Sequence, residues 1–243
     1  NPRWDGKTIE SLAVLGEQGI GDEIMFSSCL PEVQKLCQDI VIECDPRLVT
    51  ILGRSFGCRT LPRPDVTDVN ARFLERKREQ KAFIPMGDLP RLFRGSPSSF
   101  PREPFLSALP EMVSKWQSLK GRTGLAWRGR RGQFKPEVFG IKDPVCLQYE
   151  AWPYETVGML VPEIDLRNDI EDLLGICANL EKVVTVPQTV VHIAASLGCP
   201  VEVIVPPVKS GRVPDQINYR YGKGGDMDWY GGVKVFTHLN EWR

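Results

Sequence analysis

The stretch Ser11–Phe26, SLAVLGEQGIGDEIMF, decides the fold of this chain. Its apolar run Leu12–Leu15 predicts a buried strand, and three glycines follow within Gly16–Gly21. Glycine lets the backbone turn sharply and approach a ligand where a side chain would collide. The acidic residue Asp22 then opens a helical segment, and the free N–H groups and positive dipole end of a helix start suit an anion. The stretch therefore predicts a strand, a tight turn and a helix that begins beside a ligand.

The glycine motif and Asp22 leave two interpretations open. Asp22 either caps the helix or acts as a base, and the spacing favours neither. The glycine order is GxxGxG, which differs from the GxGxxG fingerprint of dinucleotide-binding proteins. Glu43, near the end of the second predicted strand, is the one feature that fits that fingerprint. The Gly-Lys-Ser/Thr ending of a P-loop is also missing, so both of these nucleotide-binding classes are disfavoured.

The composition is typical of a globular protein, and the length is sufficient for one large domain or two smaller ones. The chain has 243 residues, of which 42% are hydrophobic and 26% charged. Lys plus Arg and Asp plus Glu number 31 each, so no overall field attracts nucleic acid or acidic membranes. No apolar run approaches the roughly 20 residues of a membrane span, and the first residues lack the apolar core of a signal peptide.

Cysteine usage indicates a reducing compartment. The seven cysteines form no CxxC pair, and with two histidines in the chain the spacing of a zinc site is absent. Scattered cysteines in odd number are typical of proteins that hold their thiols reduced. We therefore expect a cytoplasmic protein with no metal site.

Strands and helices alternate along the chain in two series. The predicted strands are Leu12–Leu15, Asp39–Cys44, Ala82–Met86, Thr123–Trp127, Val145–Tyr149, Val183–Val186, Val201–Val205 and Val233–Phe236. The predicted helices are Asp22–Cys37 with a break at Pro31, Pro46–Arg54 capped by Asp45, Leu89–Phe93, Glu111–Leu119, Ile170–Leu180 and Thr189–Leu197, with Arg72–Lys81 as a solvated charged face. Such alternation indicates parallel βαβ units in an α/β protein. The Pro- and Ser-rich segment 95–110 predicts a linker. We therefore expect two Rossmann-like domains, 1–110 and 111–243, facing a cleft at the carboxyl ends of their strands.

A second motif, Leu125–Lys135, LAWRGRRGQFK, crowds basic residues into a glycine-containing loop after a strand. The basic residues are Arg128, Arg130, Arg131 and Lys135. Guanidinium groups bind phosphate oxygens in a bidentate way, so the loop is either a phosphate site or a solvated basic loop.

Two further motifs lie near the end of the chain. In Thr185–Pro200, TVPQTVVHIAASLGCP, a helix begins at Gln188 or Thr189, and its N-terminus is a second potential anion-binding site. His192, about one turn into that helix, either points at this anion-binding site or packs on the sheet. The segment Tyr219–Tyr230, YRYGKGGDMDWY, is rich in aromatic residues that either stack on a nucleobase or sugar or close the fold.

Together these segments resemble the heptosyltransferase-like glycosyltransferases of family 9, especially the branch commonly fused to tetratricopeptide repeats. The resemblance covers nearly the whole chain, with its motifs in order. The matching segments are Trp4-Asp5-Gly6, Gly16–Phe26, Leu30-Pro31, Gly124–Gly129, Cys146–Gln148, His192–Val201 and Arg220–Phe236.

The resemblance implies a fold of the glycosyltransferase-B type and a hexosyl or heptosyl transfer without a metal ion. The donor is a nucleotide diphosphate sugar, which is a co-substrate, and no cofactor is expected. Asp22 corresponds to the base that deprotonates the acceptor hydroxyl. The donor-binding residues on the C-terminal domain would be Arg128, Lys135, Gln148, Gln188, Thr189 and His192. The acceptor or loop residues on the N-terminal domain would be Gln18, Gly19 and Gly21.

Two departures leave the substrates open. Heptosyltransferases carry an Asp-Thr pair before the last helix, where this chain has Pro187-Gln188, and the Arg-Ser that often follows the arginine loop is not recognisable. The donor sugar and base are therefore not carried over, and the acceptor is a glycan, a protein, a small molecule or a modified nucleic acid. The alternative is a catalytically silent module that binds a nucleotide or a glycan.

Overall fold

A computed structural model of the chain describes residues 2–64, 80–129, 132–206 and 215–242. Arg130, Arg131 and most of the charged run Arg72–Lys81 lie outside the described residues. The chain divides into two compact units, Asn1–Phe100 with Phe105–Ser107, and Pro101–Pro104 with Ala108–Arg243. The division falls within the segment 95–110, while the roles and mutual arrangement expected for domains 1–110 and 111–243 stay predictions.

The first unit contains a four-stranded parallel sheet. Its strands are β1 (Ser11–Leu15), β2 (Asp39–Cys44), β3 (Arg59–Pro62) and β4 (Ala82–Pro85), in the order β3-β2-β1-β4. Its helices are α1 (Ile20–Ser27), α2 (Leu30–Leu36), α3 (Val49–Phe56) and α4 (Leu89–Phe93). Leu15 pairs with Glu43 on one side and with Pro85 on the other. The carboxyl ends of β1, β2 and β4 therefore reach the same edge of the sheet.

Local signals of the sequence explain where these elements begin and end. A helix cannot continue through Pro31 without a break, and α1 accordingly ends at Ser27 before α2 begins at Leu30. Asp45 accepts a hydrogen bond from the Arg47 N–H at 3.0 Å and caps the 3₁₀ turn Pro46–Leu48, so its predicted capping role is confirmed at that turn. The predicted helix Pro46–Arg54 consists of this turn followed by α3. The edge strand β3 was not predicted, because its residues are partly exposed and end in a proline.

The second unit contains a six-stranded sheet. The order is β11-β12-β10-β9-β5-β8, in which β11 and β12 are antiparallel and the other neighbours are parallel. The six strands are β5 (Thr123–Ala126), β8 (Val145–Cys146), β9 (Lys182–Thr185), β10 (Val201–Ile204), β11 (Gly225–Asp226) and β12 (Val233–Phe236), and β6 (Arg128–Gly129) and β7 (Gly132–Gln133) form a separate hairpin. Its helices are α5 (Pro110–Lys115), α6 (Ile170–Asn179), α7 (Thr189–Ser196), α8 (Asp215–Tyr221) and α9 (Leu239–Trp242).

The strand β8 is shorter than the predicted Val145–Tyr149. Past Cys146 the chain stays attached to β5 through the Leu147 N–H, which donates to the Leu125 carbonyl at 2.9 Å. The next residue, Gln148, uses its side chain in place of its backbone to bind the end of β5. Beyond Cys146 the chain is therefore joined to β5 partly through a side chain, which the pattern of apolar residues does not reveal.

Candidate functional site

Asp22 lies in the first turn of α1, directly after the glycine loop. The N-cap of α1 is Gly19, which has no side chain with which to cap the helix. Asp22 is the third residue of the helix, half-buried, and its N–H donates to the Gly19 carbonyl at 2.9 Å. A carboxylate is favoured at this position by the helix dipole, and it stands at the carboxyl edge of the sheet.

The adjacent carboxylate, Glu23, occupies a different environment. Only 1% of Glu23 is exposed, and its Oε1 lies 2.7 Å from Nη1 of Arg63. The sequence spacing does not show which of the two consecutive acids can contact a ligand, but their difference in burial does. Of the two, Asp22 is the one with a surface that a ligand can reach.

The loop before α1 packs against the turn after β4. Gln18 and Gly19 are exposed and Gly21 is half-buried. A side chain at Gly87 would lie 2.6 Å from Oε1 of Glu17 and 3.5 Å from Nε2 of Gln18. Gly87 therefore allows the two turns to meet, a contact that no local motif indicates.

In the second unit, the hairpin β6–β7 packs against Pro187, which precedes α7, and against Pro206, which follows β10. A Cβ at Gly129 would lie 2.5 Å from the carbonyl oxygen of Pro187, and one at Gly132 would lie 2.9 Å from the ring of Pro206. Such approaches are possible only for glycine. The hairpin thus covers the carboxyl ends of β9 and β10, and it brings together two segments that were singled out separately in the sequence.

The guanidinium of Arg128 is bound by protein oxygens. Its Nη1 lies 2.9 Å from Oε1 and 3.1 Å from Oε2 of Glu155, and its Nη2 lies 2.7 Å from the Glu150 carbonyl. Burial alone would raise the pKa of Glu155. Hydrogen bonds from the Trp152 N–H and the Trp127 indole, together with Arg128, outweigh burial and hold that pKa below its usual value. Glu155 is therefore an ionised partner of Arg128, which sequence reasoning missed.

Gln148 supports the end of β5. It is 2% exposed, and its Oε1 accepts hydrogen bonds from the N–H groups of Trp127 at 3.1 Å and Arg128 at 2.8 Å. Its Nε2 donates to the Tyr149 carbonyl at 3.1 Å. These bonds give Gln148 a role in shaping the arginine loop, and contact with a donor stays a prediction.

The other predicted donor-binding residues differ in exposure. Gln188 is the N-cap of α7, and its Nε2 donates to Oγ1 of Thr185 at 3.1 Å. Gln188 and Thr189 are half-buried, and Lys135 is exposed just before the turn Pro136–Phe139. Gln188 and Thr189 thus form the start of the helix that the hairpin approaches.

His192 lies inside the second unit. It is 3% exposed, its Nδ1 lies 3.0 Å from the hydroxyl of Tyr230, and its Nε2 lies 3.4 Å from the hydroxyl of Tyr221. This geometry fits the packing alternative, and donor contact by His192 stays a prediction. Within the aromatic segment, Trp229 and Tyr230 are buried while Tyr219 is exposed.

Comparison with curated proteins gives a distant relative. No family model matches the chain. Protein FlbA of Caulobacter vibrioides is 26% identical over 82% of this chain and 40% of its own length. The chain thus spans about two fifths of the length of this curated relative.

Solved structures share the fold. A glycosyl transferase family 9 structure from Veillonella parvula gives a TM-score of 0.63 at 9% identity, covering 97% of this chain and 88% of that one. The fold of the chain is therefore similar to that of a family 9 glycosyltransferase. E. coli ADP-heptose lps heptosyltransferase II gives a TM-score of 0.58 at 13% identity, over 93% and 90% of the two chains. E. coli heptosyltransferase WaaC, with ADP-2-deoxy-2-fluoro heptose, gives 0.52 at 12% identity, over 92% of each.

Two further observations on the described residues concern metals and membranes. Among the described residues, no group of three or more His, Cys, Asp or Glu side chains could hold a metal ion. Within the same residues, no helix combines the length and apolar character needed to cross a bilayer.

Proposed function

We propose that the chain is a metal-independent glycosyltransferase that moves a sugar from a nucleotide diphosphate donor to a hydroxyl group. The observation that carries the proposal is the family 9 fold with Asp22 at the carboxyl edge of β1. Asp22 is the base, and the acceptor is a glycan, a protein, a small molecule or a modified nucleic acid. The expected roles are acceptor binding for residues 1–110 and nucleotide-sugar binding for residues 111–243.

In the reaction, Asp22 takes the proton of the acceptor hydroxyl as its oxygen attacks the anomeric carbon of the donor. A bond forms between that oxygen and the anomeric carbon, and the bond from the anomeric carbon to the donor phosphate breaks. General-base catalysis of this kind requires a carboxylate that can approach the hydroxyl to hydrogen-bond distance. The half-buried position of Asp22 supports this role.

The leaving nucleoside diphosphate takes up negative charge, which must be stabilised without a metal. Arg128, Lys135 and the start of α7 at Gln188–Thr189 are the proposed source of that stabilisation. The close approach of Gly129 to Pro187 supports the grouping, because it brings the arginine loop to that helix start. Pro187 stands where heptosyltransferases carry the Asp of an Asp-Thr pair, so the donor sugar and base are not carried over from them.

The test is a panel of nucleotide sugars and nucleoside diphosphates assayed with the whole protein. We expect binding of at least one nucleoside diphosphate by calorimetry. We also expect release of that diphosphate from the matching nucleotide sugar, at the same rate with and without a chelator. Binding without release or transfer from any donor would favour the silent binding module, and a rate that requires a divalent metal would contradict the mechanism.

Arg128 and Glu155 yield a sharper prediction about the donor. If a diphosphate binds Arg128, it must compete with the Glu155 carboxylate for the same guanidinium. Glu155→Gln should therefore tighten the binding of the nucleoside diphosphate roughly threefold to tenfold, and Arg128→Ala should weaken it roughly tenfold to a hundredfold. Both changes are measured as dissociation constants by calorimetry.

The matched control is Lys182→Met, which breaks an ion pair at the opposite end of the same sheet. Nζ of Lys182 lies 3.0 Å from Oε1 of Glu202. This variant should leave the dissociation constant unchanged. Unchanged affinity in both Glu155→Gln and Arg128→Ala would remove Arg128 from the donor site.

A further inference from the structure

Glu23 lies beneath the glycine loop and connects it to the neighbouring strand. Its Oε2 accepts the N–H of Asp45, the residue after β2, at 2.7 Å, while its Oε1 lies 2.7 Å from Nη1 of Arg63. A buried carboxylate with a backbone donor on one oxygen and an arginine on the other has little freedom to turn. Glu23 therefore fixes the rotation of the first turn of α1 against β2.

Arg63 joins that carboxylate to the loop itself. The same Nη1 that contacts Glu23 also donates to the carbonyl of Gln18 at 2.9 Å. The backbone of Arg63 is anchored in turn, because its N–H donates to the Cys44 carbonyl at 2.6 Å. One guanidinium at the end of β3 thus holds both the loop and the helix that follows it.

Gly16 shows how closely the loop fits over Glu23. A Cβ at Gly16 would lie 2.4 Å from Oε1 of Glu23 and 2.8 Å from the Glu43 carbonyl, which already accepts the Gly16 N–H at 2.6 Å. The first glycine of the motif is therefore required by the buried carboxylate and by the neighbouring strand.

From this geometry we propose that Glu23 and Arg63 are positioning residues that set the direction of Asp22; the proposal rests on the proposed function. Consecutive residues of an α-helix point about 100° apart around its axis. Fixing Glu23 toward the sheet therefore fixes Asp22 on the adjoining face. A buried ion pair is weak evidence for stability, and its better attested use is to select one arrangement among several.

The first experiment measures the loop directly and needs no activity. The double variant Glu23→Gln/Arg63→Met removes both charges, so neither is left buried without a partner, and Arg63→Lys keeps the positive charge. Amide hydrogen exchange is followed at Gly16, whose N–H donates to the Glu43 carbonyl, and at Asp22 and Glu23, whose N–H groups donate to the Gly19 carbonyl. We expect these amides to exchange about tenfold faster or more in the double variant, with the sheet unchanged. Unchanged exchange would overturn the proposal.

The second experiment separates kcat from KM for sugar transfer. The double variant should lose roughly tenfold to a hundredfold in kcat while the donor KM stays within about threefold, because a misplaced base affects the transition state more than binding. The single variant Arg63→Lys should keep most of the wild-type kcat, because it retains the positive charge beside Glu23. Lys182→Met should change neither kcat nor loop exchange.

The outcomes separate the two proposals. A wild type without transfer activity whose loop exchange responds to the double variant contradicts the proposed function and leaves the loop-setting role in place. A wild type that is active, with full kcat in a folded double variant, contradicts the positioning role alone.

Discussion

Asp22→Asn is expected to lower kcat for sugar transfer roughly 10²- to 10⁴-fold, the range of a lost general base. Asparagine has nearly the same shape as aspartate, but it cannot accept the proton of the acceptor hydroxyl. Asp22 is half-buried in the first turn of α1, so the substitution creates no cavity and removes no core contact. The folded protein should therefore persist while the chemical step is lost.

The measurement is a steady-state assay with the donor found in the panel, together with calorimetry of the nucleoside diphosphate. Donor affinity should change less than about threefold, since the proposed donor residues Arg128 and Gln188 lie in the second unit. Glu17→Gln is the matched control, because Glu17 is an exposed acid of the same loop. Full activity in Asp22→Asn would show that the base is another group, even where transfer itself is established.

The parts of the fold that sequence predicted are those with strong local signals. The buried strands β1 and β2 contain the apolar runs Leu12–Leu15 and Ile40–Ile42, and the break at Pro31 follows from the covalent structure of proline. The hairpin of β6 and β7 was missed, because two-residue strands are too short for any periodicity. Its position depends on contacts of Gly129 and Gly132 with distant prolines, which only the folded chain supplies.

In the candidate site, too, the features with local sequence signals were predicted, and those that depend on distant residues were not. The glycine loop and the start of α7 were visible as turn and helix-start signals, and the sequence placed both after strands. The difference between Asp22 and Glu23 was not visible, because it depends on Arg63, forty residues further along the chain. Glu155 was missed for a similar reason, since nothing local marks a glutamate in the short turn Pro153–Glu155 as the partner of Arg128.

Arg94 carries the largest expected effect on stability. Its side chain is 1% exposed, its Nη1 lies 2.6 Å from Oε1 of Glu32, and its Nη2 donates to the Ser28 carbonyl at 2.7 Å. The guanidinium thus connects the end of α4 to the junction of α1 and α2. It also lies 5.8 Å from the ring centroid of Phe100.

Arg94→Ala should lower the free energy of unfolding of the first unit by about 3–5 kcal/mol, the usual cost of removing one partner of a buried pair. The loss leaves the Glu32 carboxylate and the Ser28 carbonyl without their donor, and it opens a space beside Phe100. The check is urea unfolding followed by amide exchange in β1 and β2, which belong to that unit. Arg94→Lys should lose less, because it keeps the charge but cannot contact both partners with a rigid fork. A loss below about 1 kcal/mol in Arg94→Ala would mean that the pair behaves like an exposed one, and that the α1–α2 junction is held by its apolar contacts instead.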